Sequence, residues 1–118
     1  MKPKLRVWIV FDEALKFGSG RAQLLEAIDT RGSLRQASAA LGMSYRNAWG
    51  YLRQLEAAAG FRFVERAPGG RPRDGMRLTA RGREFLARYG KFRKSLDAVS
   101  IRRFERLFGD RAPRTRAR

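Results

Sequence analysis

Residues 33–60 carry the sequence SLRQASAALGMSYRNAWGYLRQLEAAAG, and its first part predicts a short capped helix. Ser33 and Gln36 have the spacing of a capping box, in which the serine hydroxyl accepts a hydrogen bond from the backbone N–H three residues on and the Gln side chain reaches back. We therefore expect a helix over residues 34–41. Gly42 suits the left-handed residue just beyond a helix end.

The second part of the stretch predicts a longer helix over residues 45–59. Ser44 can cap its start, and Gly60 can end it. Its expected inner stripe consists of Ala48, Leu52, Leu55 and Ala59. Two capped helices separated by a Gly-Met-Ser turn are the sequence form of a helix-turn-helix.

The chain before this motif predicts a β-hairpin and one further helix. Leu5–Phe11 is rich in Val, Ile and aromatic residues, and Ala14–Phe17 follows across a charged pair. A helix is expected over Arg21–Thr30, because its apolar residues recur at three- and four-residue spacing. Gly32 can end that helix.

The chain after the motif predicts a second hairpin. Phe61–Arg66 alternates apolar and charged side chains, and Met76–Leu78 returns as a short partner strand. Residues 67–75 are rich in Gly and Pro, so they form a loop with a basic tip. The fold class we expect is mainly α with small β-hairpins, namely a winged helix-turn-helix.

A long final helix, about residues 80–99 and capped by Thr79, completes the expected domain of residues 1–99. Its apolar residues have the spacing of a heptad seam, which predicts dimerisation, with packing on its own domain as the alternative. The predicted dimerisation residues are Phe85, Tyr89, Phe92, Leu96 and Val99. Ser100 is expected to interrupt the helix, so that residues 100–118 form a short helical extension and a basic disordered tail.

Charge is the unusual feature of the composition. The 118 residues include 27 Lys and Arg against 11 Asp and Glu, a net charge of +16. Two thirds of the basic side chains, 18 of them, lie in residues 61–118. Such an excess favours a polyanionic partner.

Several kinds of chemistry are not expected in this chain. It has neither Cys nor His, so there is no disulfide framework, thiolate site, imidazole base or usual zinc ligand. We therefore expect no enzyme activity, no cofactor and no metal. No apolar run approaches a signal sequence or a membrane span, and we expect a cytoplasmic location with no membrane partner.

The outer side of the second helix is the expected contact with double-stranded DNA, because that helix of the motif enters the major groove. Arg46 is the first candidate for a bidentate guanine contact. In an alternative interpretation, Trp49 is a core residue. The alternative for Arg71 and Arg73, in the loop of residues 67–75, is that they are only solvated. The predicted DNA-contacting residues are Ser33, Arg35, Ser44, Tyr45, Arg46, Asn47, Trp49, Arg53, Arg71 and Arg73.

Three pieces of the sequence carry a resemblance to a known family: LLEAIDTRGSLRQASAALGMSYRNAW, FVERAPGG and LTARGREFLARY. Over about Leu5–Lys94 the chain resembles the DNA-binding domain of molybdate-responsive, ModE-type regulators, and more loosely LysR-type domains. The resemblance implies a homodimer on palindromic promoter DNA. Full-length members of that family carry a C-terminal oxyanion-binding domain, which does not follow here, so no molybdate site is expected.

A sequence-specific transcriptional regulator is thus the leading hypothesis. The first alternative is an architectural protein that binds DNA without sequence preference, which the charge would suit. The second is a winged-helix module that binds another protein.

Overall fold

The computed structural model describes residues 1–12, 15–68 and 75–109, and its elements alternate short hairpins with four helices. In chain order they are β1 (Ile9–Phe11), β2 (Leu15–Phe17), α1 (Ser19–Arg31), α2 (Leu34–Ala40), α3 (Tyr45–Ala59), β3 (Val64–Arg66), β4 (Met76–Leu78) and α4 (Ala80–Phe108). Strands β1 and β2 pair antiparallel, and so do β3 and β4. The predicted fold class is confirmed.

Local capping sets the helix boundaries. The hydroxyls of Ser33, Ser44 and Thr79 each accept a hydrogen bond from the backbone N–H three residues on, at 3.0, 3.0 and 2.9 Å. Gly32 and Gly60 end α1 and α3 with φ angles of 80° and 83°, in the left-handed region that favours glycine. These five predictions are confirmed, because caps depend on residues adjacent in sequence.

Both hairpins are shorter than the sequence predicts. The expected first strand began at Leu5, but β1 begins at Ile9, which pairs with Phe17. Helix α1 starts directly after Phe17 and Gly18, so no partner strand remains for residues 1–8. Likewise β3 begins at Val64, opposite Leu78, because the chain after Leu78 turns into α4.

The core lies where the hairpins and the first half of α4 meet helices α1, α2 and α3. Its buried hydrophobic residues are Leu15, Phe17, Leu24, Leu25, Ile28, Leu34, Ala37, Ala48, Leu52, Leu55, Phe63, Val64, Leu78 and Tyr89. Phe17 packs edge-to-face on Phe85 and on Tyr89, with ring centroids 4.9 and 5.0 Å apart. Such aromatic pairs add roughly 0.5–1.5 kcal/mol each beyond their buried area.

Helix α4 is continuous, and the predicted break at Ser100 is wrong. The Ser100 hydroxyl donates to the carbonyl of Asp97 at 3.0 Å, so it is satisfied within the helix and does not compete with the backbone ladder. At 1.5 Å per residue, the helix of 29 residues is about 44 Å long. Its buried residues, Gly82 and Tyr89, lie in its first half, and the structure extends 68 Å along its longest axis. The predicted tail, from residue 110 onward, lies outside the described residues.

Candidate nucleic-acid interface

The turn between α2 and α3 is held by backbone hydrogen bonds at the end of α2. The N–H of Met43 donates to the carbonyl of Ser38 at 2.9 Å, and the N–H of Leu41 donates to the carbonyls of Ala37 and Ser38 at 3.2 Å. Gly42 has a φ of 70°, as the sequence predicted for this position. The small side chains of Ala37 and Ser38 are buried, which lets the two helices approach closely.

Helix α3 has one buried side and one exposed side. Its fully buried side chains are those of Ala48, Leu52 and Leu55. Its exposed polar side chains are those of Arg46, Asn47, Arg53 and Gln54. The helix is therefore anchored along one side, while its first two turns present Arg46 and Asn47 to solvent.

Two aromatic residues at the start of α3 support neighbouring arginines. Tyr45 and Trp49 are half-buried and pack edge-to-face, with ring centroids 6.3 Å apart. The guanidinium of Arg35 lies 4.5 Å from the Tyr45 ring centre, and that of Arg53 lies 6.0 Å from the Trp49 ring centre. Trp49 thus packs partly against the core and partly beneath a surface cation, so it has part of the core role, and its predicted contact with DNA stays a prediction.

The two capping serines differ in position. Ser33 is 4% exposed, and its hydroxyl accepts from the N–H of Gln36. Its side chain is enclosed at the start of α2, so its burial argues against the predicted DNA contact of Ser33, which acts here as a helix cap. Ser44 is exposed, although its hydroxyl already accepts from the N–H of Asn47.

Two contacts that orient α3 had no signal in the sequence. Arg21 on α1 donates through Nη2 to Oε1 of Gln54 at 3.0 Å, and its guanidinium lies 4.4 Å from the Tyr51 ring centre. Glu56 accepts hydrogen bonds from the backbone of the segment that leads into β3. Arg21 and Gln54 are 33 residues apart, and nothing local to either residue indicates the pairing.

Strands β3 and β4 form the wing next to the helix-turn-helix. Arg77 donates through Nε to Oε2 of Glu65 at 2.8 Å, across the two strands. Both side chains are substantially exposed, so this ion pair contributes little to stability. Arg71 and Arg73, predicted to contact DNA from the tip, lie outside the described residues.

An ion pair joins α1 to the start of α4 beside the wing. Arg83 donates through Nη2 to Oδ1 of Asp29 at 2.8 Å, and the N–H of Leu78 approaches the same oxygen at 3.5 Å. The hydrogen bond from Arg83 lowers the pKa of Asp29, and this effect outweighs the opposing effect of burial.

The predicted seam of α4 divides into two parts. Phe85 and Tyr89 pack within the domain's own core, and the Tyr89 hydroxyl donates to the carbonyl of Val7 at 2.8 Å. Their side chains are therefore not available to a partner subunit, and the alternative of packing on the own domain holds for these two. Phe92 is 47% exposed, while Leu96 and Val99 are half-buried.

The part of the chain that the structure describes contains no cluster of three or more His, Cys, Asp or Glu side chains that could hold a metal ion. None of its helices has the length and apolarity that crossing a membrane requires.

The arrangement described above matches a known family. The model of the bacterial regulatory helix-turn-helix proteins of the lysR family matches residues 20–83, which is more than half of the chain and spans α1 through the wing. The chain belongs to this LysR family. That membership confirms the sequence-based hypothesis of a DNA-binding transcriptional regulator.

Relatives of this LysR-family chain include proteins whose names refer to molybdenum. It is 35% identical to the molybdenum transport protein ModE of Azotobacter vinelandii, over 76% of this chain and 35% of that protein. It is 26% identical to the transcriptional regulator ModE of Yersinia pestis, over 96% of this chain and 41% of that protein. The predicted resemblance to ModE-type regulators is therefore confirmed, and the chain spans well under half the length of these relatives.

A solved structure has the same fold. The CbnR DNA-binding domain, in its crystal structure as a complex with DNA, aligns with a TM-score of 0.50 and 24% identity, over 81% of this chain and 91% of that one. At this identity the likeness concerns the fold, and it agrees with a winged helix-turn-helix.

Proposed function

We propose that this chain binds operator DNA as a sequence-specific regulator, with α3 in the major groove. The observation that carries the proposal is the exposed side of α3 in a helix-turn-helix of this family. Arg46 lies in the first turn of α3. Arg53 lies about two turns further along the helix, close to the Trp49 ring. A helix anchored on one side and basic on the other fits the groove and its phosphates.

The residues around α3 have different proposed roles. Arg46 makes a bidentate contact with a guanine, and Asn47 contacts a base edge or a phosphate. Arg35 and Arg53, each beside an aromatic ring, contact phosphates on either side of the groove. Tyr45, Trp49 and Ser44 position these groups.

The wing is the second proposed contact. Residues 67–75 include Arg71 and Arg73, and this segment connects strands β3 and β4. Arginine is favoured in a narrow minor groove and against phosphates, because the potential there is strongly negative. The net charge of +16 supports the same proposal.

We also propose that the chain acts as a homodimer through α4 on a palindromic operator. Phe92, Leu96 and Val99 continue the apolar seam of α4 beyond the core. Leu107 lies one helical turn after Arg103 on the same side of α4, and its side chain is 70% exposed. A two-fold dimer places its two recognition helices on half-sites about 34–36 Å apart or a multiple of that distance.

Selection of binding sites from random double-stranded DNA tests the proposal. Affinity for the selected site and for a scrambled site is then measured by fluorescence anisotropy over a range of salt concentrations. We expect a clear preference for the selected site and binding that weakens with salt. Equal affinity for both would favour the architectural alternative, and the absence of salt-sensitive binding would favour the protein-interaction module.

A further inference from the structure

A cavity of about 410 Å³ lies where four parts of the chain meet. They are the N-terminal segment, the junction of β2 with α1, the middle of α3 and the middle of α4. The lining residues are Lys4, Leu5, Arg6, Val7, Trp8, Lys16, Gly18, Ser19, Gly20, Arg21, Tyr51 and Arg93. Its volume is within the range of small-molecule sites.

The cavity is strongly electropositive. Five of its lining residues are cationic, and none of the described lining residues is acidic. The Asp97 carboxylate lies 4.0 Å from Nη2 of Arg93, but Asp97 does not line the cavity. The five cationic residues are Lys4, Arg6, Lys16, Arg21 and Arg93.

Two of these cations have unused donors. Arg21 donates through Nη1 to the carbonyl of Lys16 and through Nη2 to Gln54, yet its Nε is buried with no hydrogen-bond partner. The Nε of Arg93 is in the same situation, and these two are the unsatisfied buried side-chain donors in the part of the chain that the structure describes. Buried donors without partners are energetically costly. Because both of these Nε donors lie in the wall of one cavity, they indicate that an acceptor is missing there. Burial also lowers the pKa of Arg21, since its charge is incompletely compensated.

The backbone adds to the same potential. Helix α1 begins at the cavity, its N-cap Gly18 contributes no side-chain hydrogen bond, and its first turn has no acidic residue. The first N–H groups of a helix attract anions. Trp8 packs directly on Gly18, where an added Cβ would lie 2.5 Å from the indole Cδ1, so glycine is needed to bring the indole against the start of the helix.

We propose that this cavity binds a phosphate group. An aromatic ligand fits less well, because Arg21 already lies 4.4 Å from the Tyr51 ring centre and Lys16 lies 5.1 Å from that of Trp8. A phosphate oxygen supplies the acceptors that the guanidinium groups lack. The phosphate comes either from the backbone of bound DNA or from a small phosphate-bearing molecule, and the first source rests on the proposed function.

The first experiment uses inorganic phosphate and the full chain without DNA, so it is independent of the proposed function. Phosphate is titrated at constant ionic strength against chloride, and the indole N–H resonances of Trp8 and Trp49 are followed by NMR. We expect a saturable shift of the Trp8 resonance, with Trp49 unchanged. Substituting Lys4→Gln with Arg6→Gln, two exposed lining residues, should weaken phosphate binding roughly tenfold.

The matched control is Lys94→Gln with Arg102→Gln, which removes the same two kinds of charge from exposed positions of α4 that do not line the cavity. It should leave phosphate binding unchanged. The absence of a saturable Trp8 shift, or equal weakening in both double variants, would overturn the proposal.

The second experiment identifies the source of the phosphate by measuring DNA affinity of the same variants in phosphate-free buffer. If the site holds a DNA phosphate, the cavity variant binds selected and scrambled DNA more weakly to the same degree. The slope of its log affinity against log salt concentration then falls in magnitude by about one unit for each phosphate that the protein no longer neutralises, beyond the change in the control. If the ligand is a small molecule, the two double variants bind DNA equally.

Discussion

Oε2 of Glu56 on α3 accepts a hydrogen bond from the backbone N–H of Phe63 at 2.7 Å. The same oxygen accepts from the N–H of Val64 at 3.2 Å. Both donors belong to the segment that enters β3, so one carboxylate ties the recognition helix to the wing. The distance between the two proposed DNA contacts therefore depends on this side chain.

We expect Glu56→Ala to lower the free energy of unfolding by about 1–3 kcal/mol, because two partly buried backbone donors lose their acceptor. Glu56→Gln keeps an acceptor oxygen and should lose less than half as much. Urea denaturation of the three proteins measures both changes. Equal losses in the two variants would show that the charge, and not the acceptor, is what matters.

Gly82 should not tolerate a side chain. An added Cβ would lie 2.5 Å from the carbonyl oxygen of Phe63, where α4 crosses the start of β3, so Gly82→Ala should cost about 1–3 kcal/mol of stability. Gly90, on the same helix, has nothing within 4 Å of such a Cβ. Gly90→Ala should therefore stabilise the protein by about 0.5–1 kcal/mol, as alanine does within helices. Thermal unfolding of the two variants tests this opposition, and a change of the same sign in both would contradict it.

The Asp29–Arg83 pair should make stability sensitive to acid. The pKa of Asp29 is lower in the folded protein than in the unfolded chain, where it is about 3.9. The ion pair therefore contributes fully to the free energy of unfolding above the unfolded pKa, and this contribution is lost as the pH falls through the lower folded pKa. The pKa of Arg83 is raised, and it stays charged throughout this range. Unfolding of wild type and Asp29→Asn should thus differ by a constant amount above about pH 5 and converge in stronger acid. A difference that persists at the lowest pH would refute this assignment.

Arg46→Ala should weaken binding to the selected DNA site by about 1–3 kcal/mol and relax base preference at one position. Arg46 is exposed, so its removal should leave stability unchanged. Arg102→Ala, on the exposed surface of α4, is the control for loss of one charge. Anisotropy titrations with single-base variants of the site measure both effects. Equal weakening on selected and scrambled DNA would reassign Arg46 to the phosphate backbone.

Charged substitution of the exposed seam should separate the subunits without unfolding them. Phe92→Glu with Leu96→Glu should give monomers by sedimentation, with helix content retained, because Phe92 lies largely outside the core. Phe85→Ala should instead lower stability by about 3–5 kcal/mol, since that ring contacts Phe11, Phe17 and Phe63. Unmutated protein that is monomeric at working concentration would exclude the α4 dimer.

The sequence by itself determined the helix-turn-helix, since its boundaries depend on neighbours in the chain. Ser33, Ser44 and Gly60 cap or end helices through residues no more than four positions away. The apolar stripe of α3 follows from helical spacing alone. The family resemblance rests on these same local pieces.

Only the tertiary structure decided which partner each apolar or charged side chain meets. Periodicity placed Phe85, Tyr89 and Phe92 on one side of a helix, but the hairpins and β3 determine that the first two are core residues and the third is exposed. The cavity beside Arg21 likewise joins segments far apart in the chain. Spacing defines the side of a helix, whereas contact depends on how distant segments pack, and no short stretch of sequence contains that information.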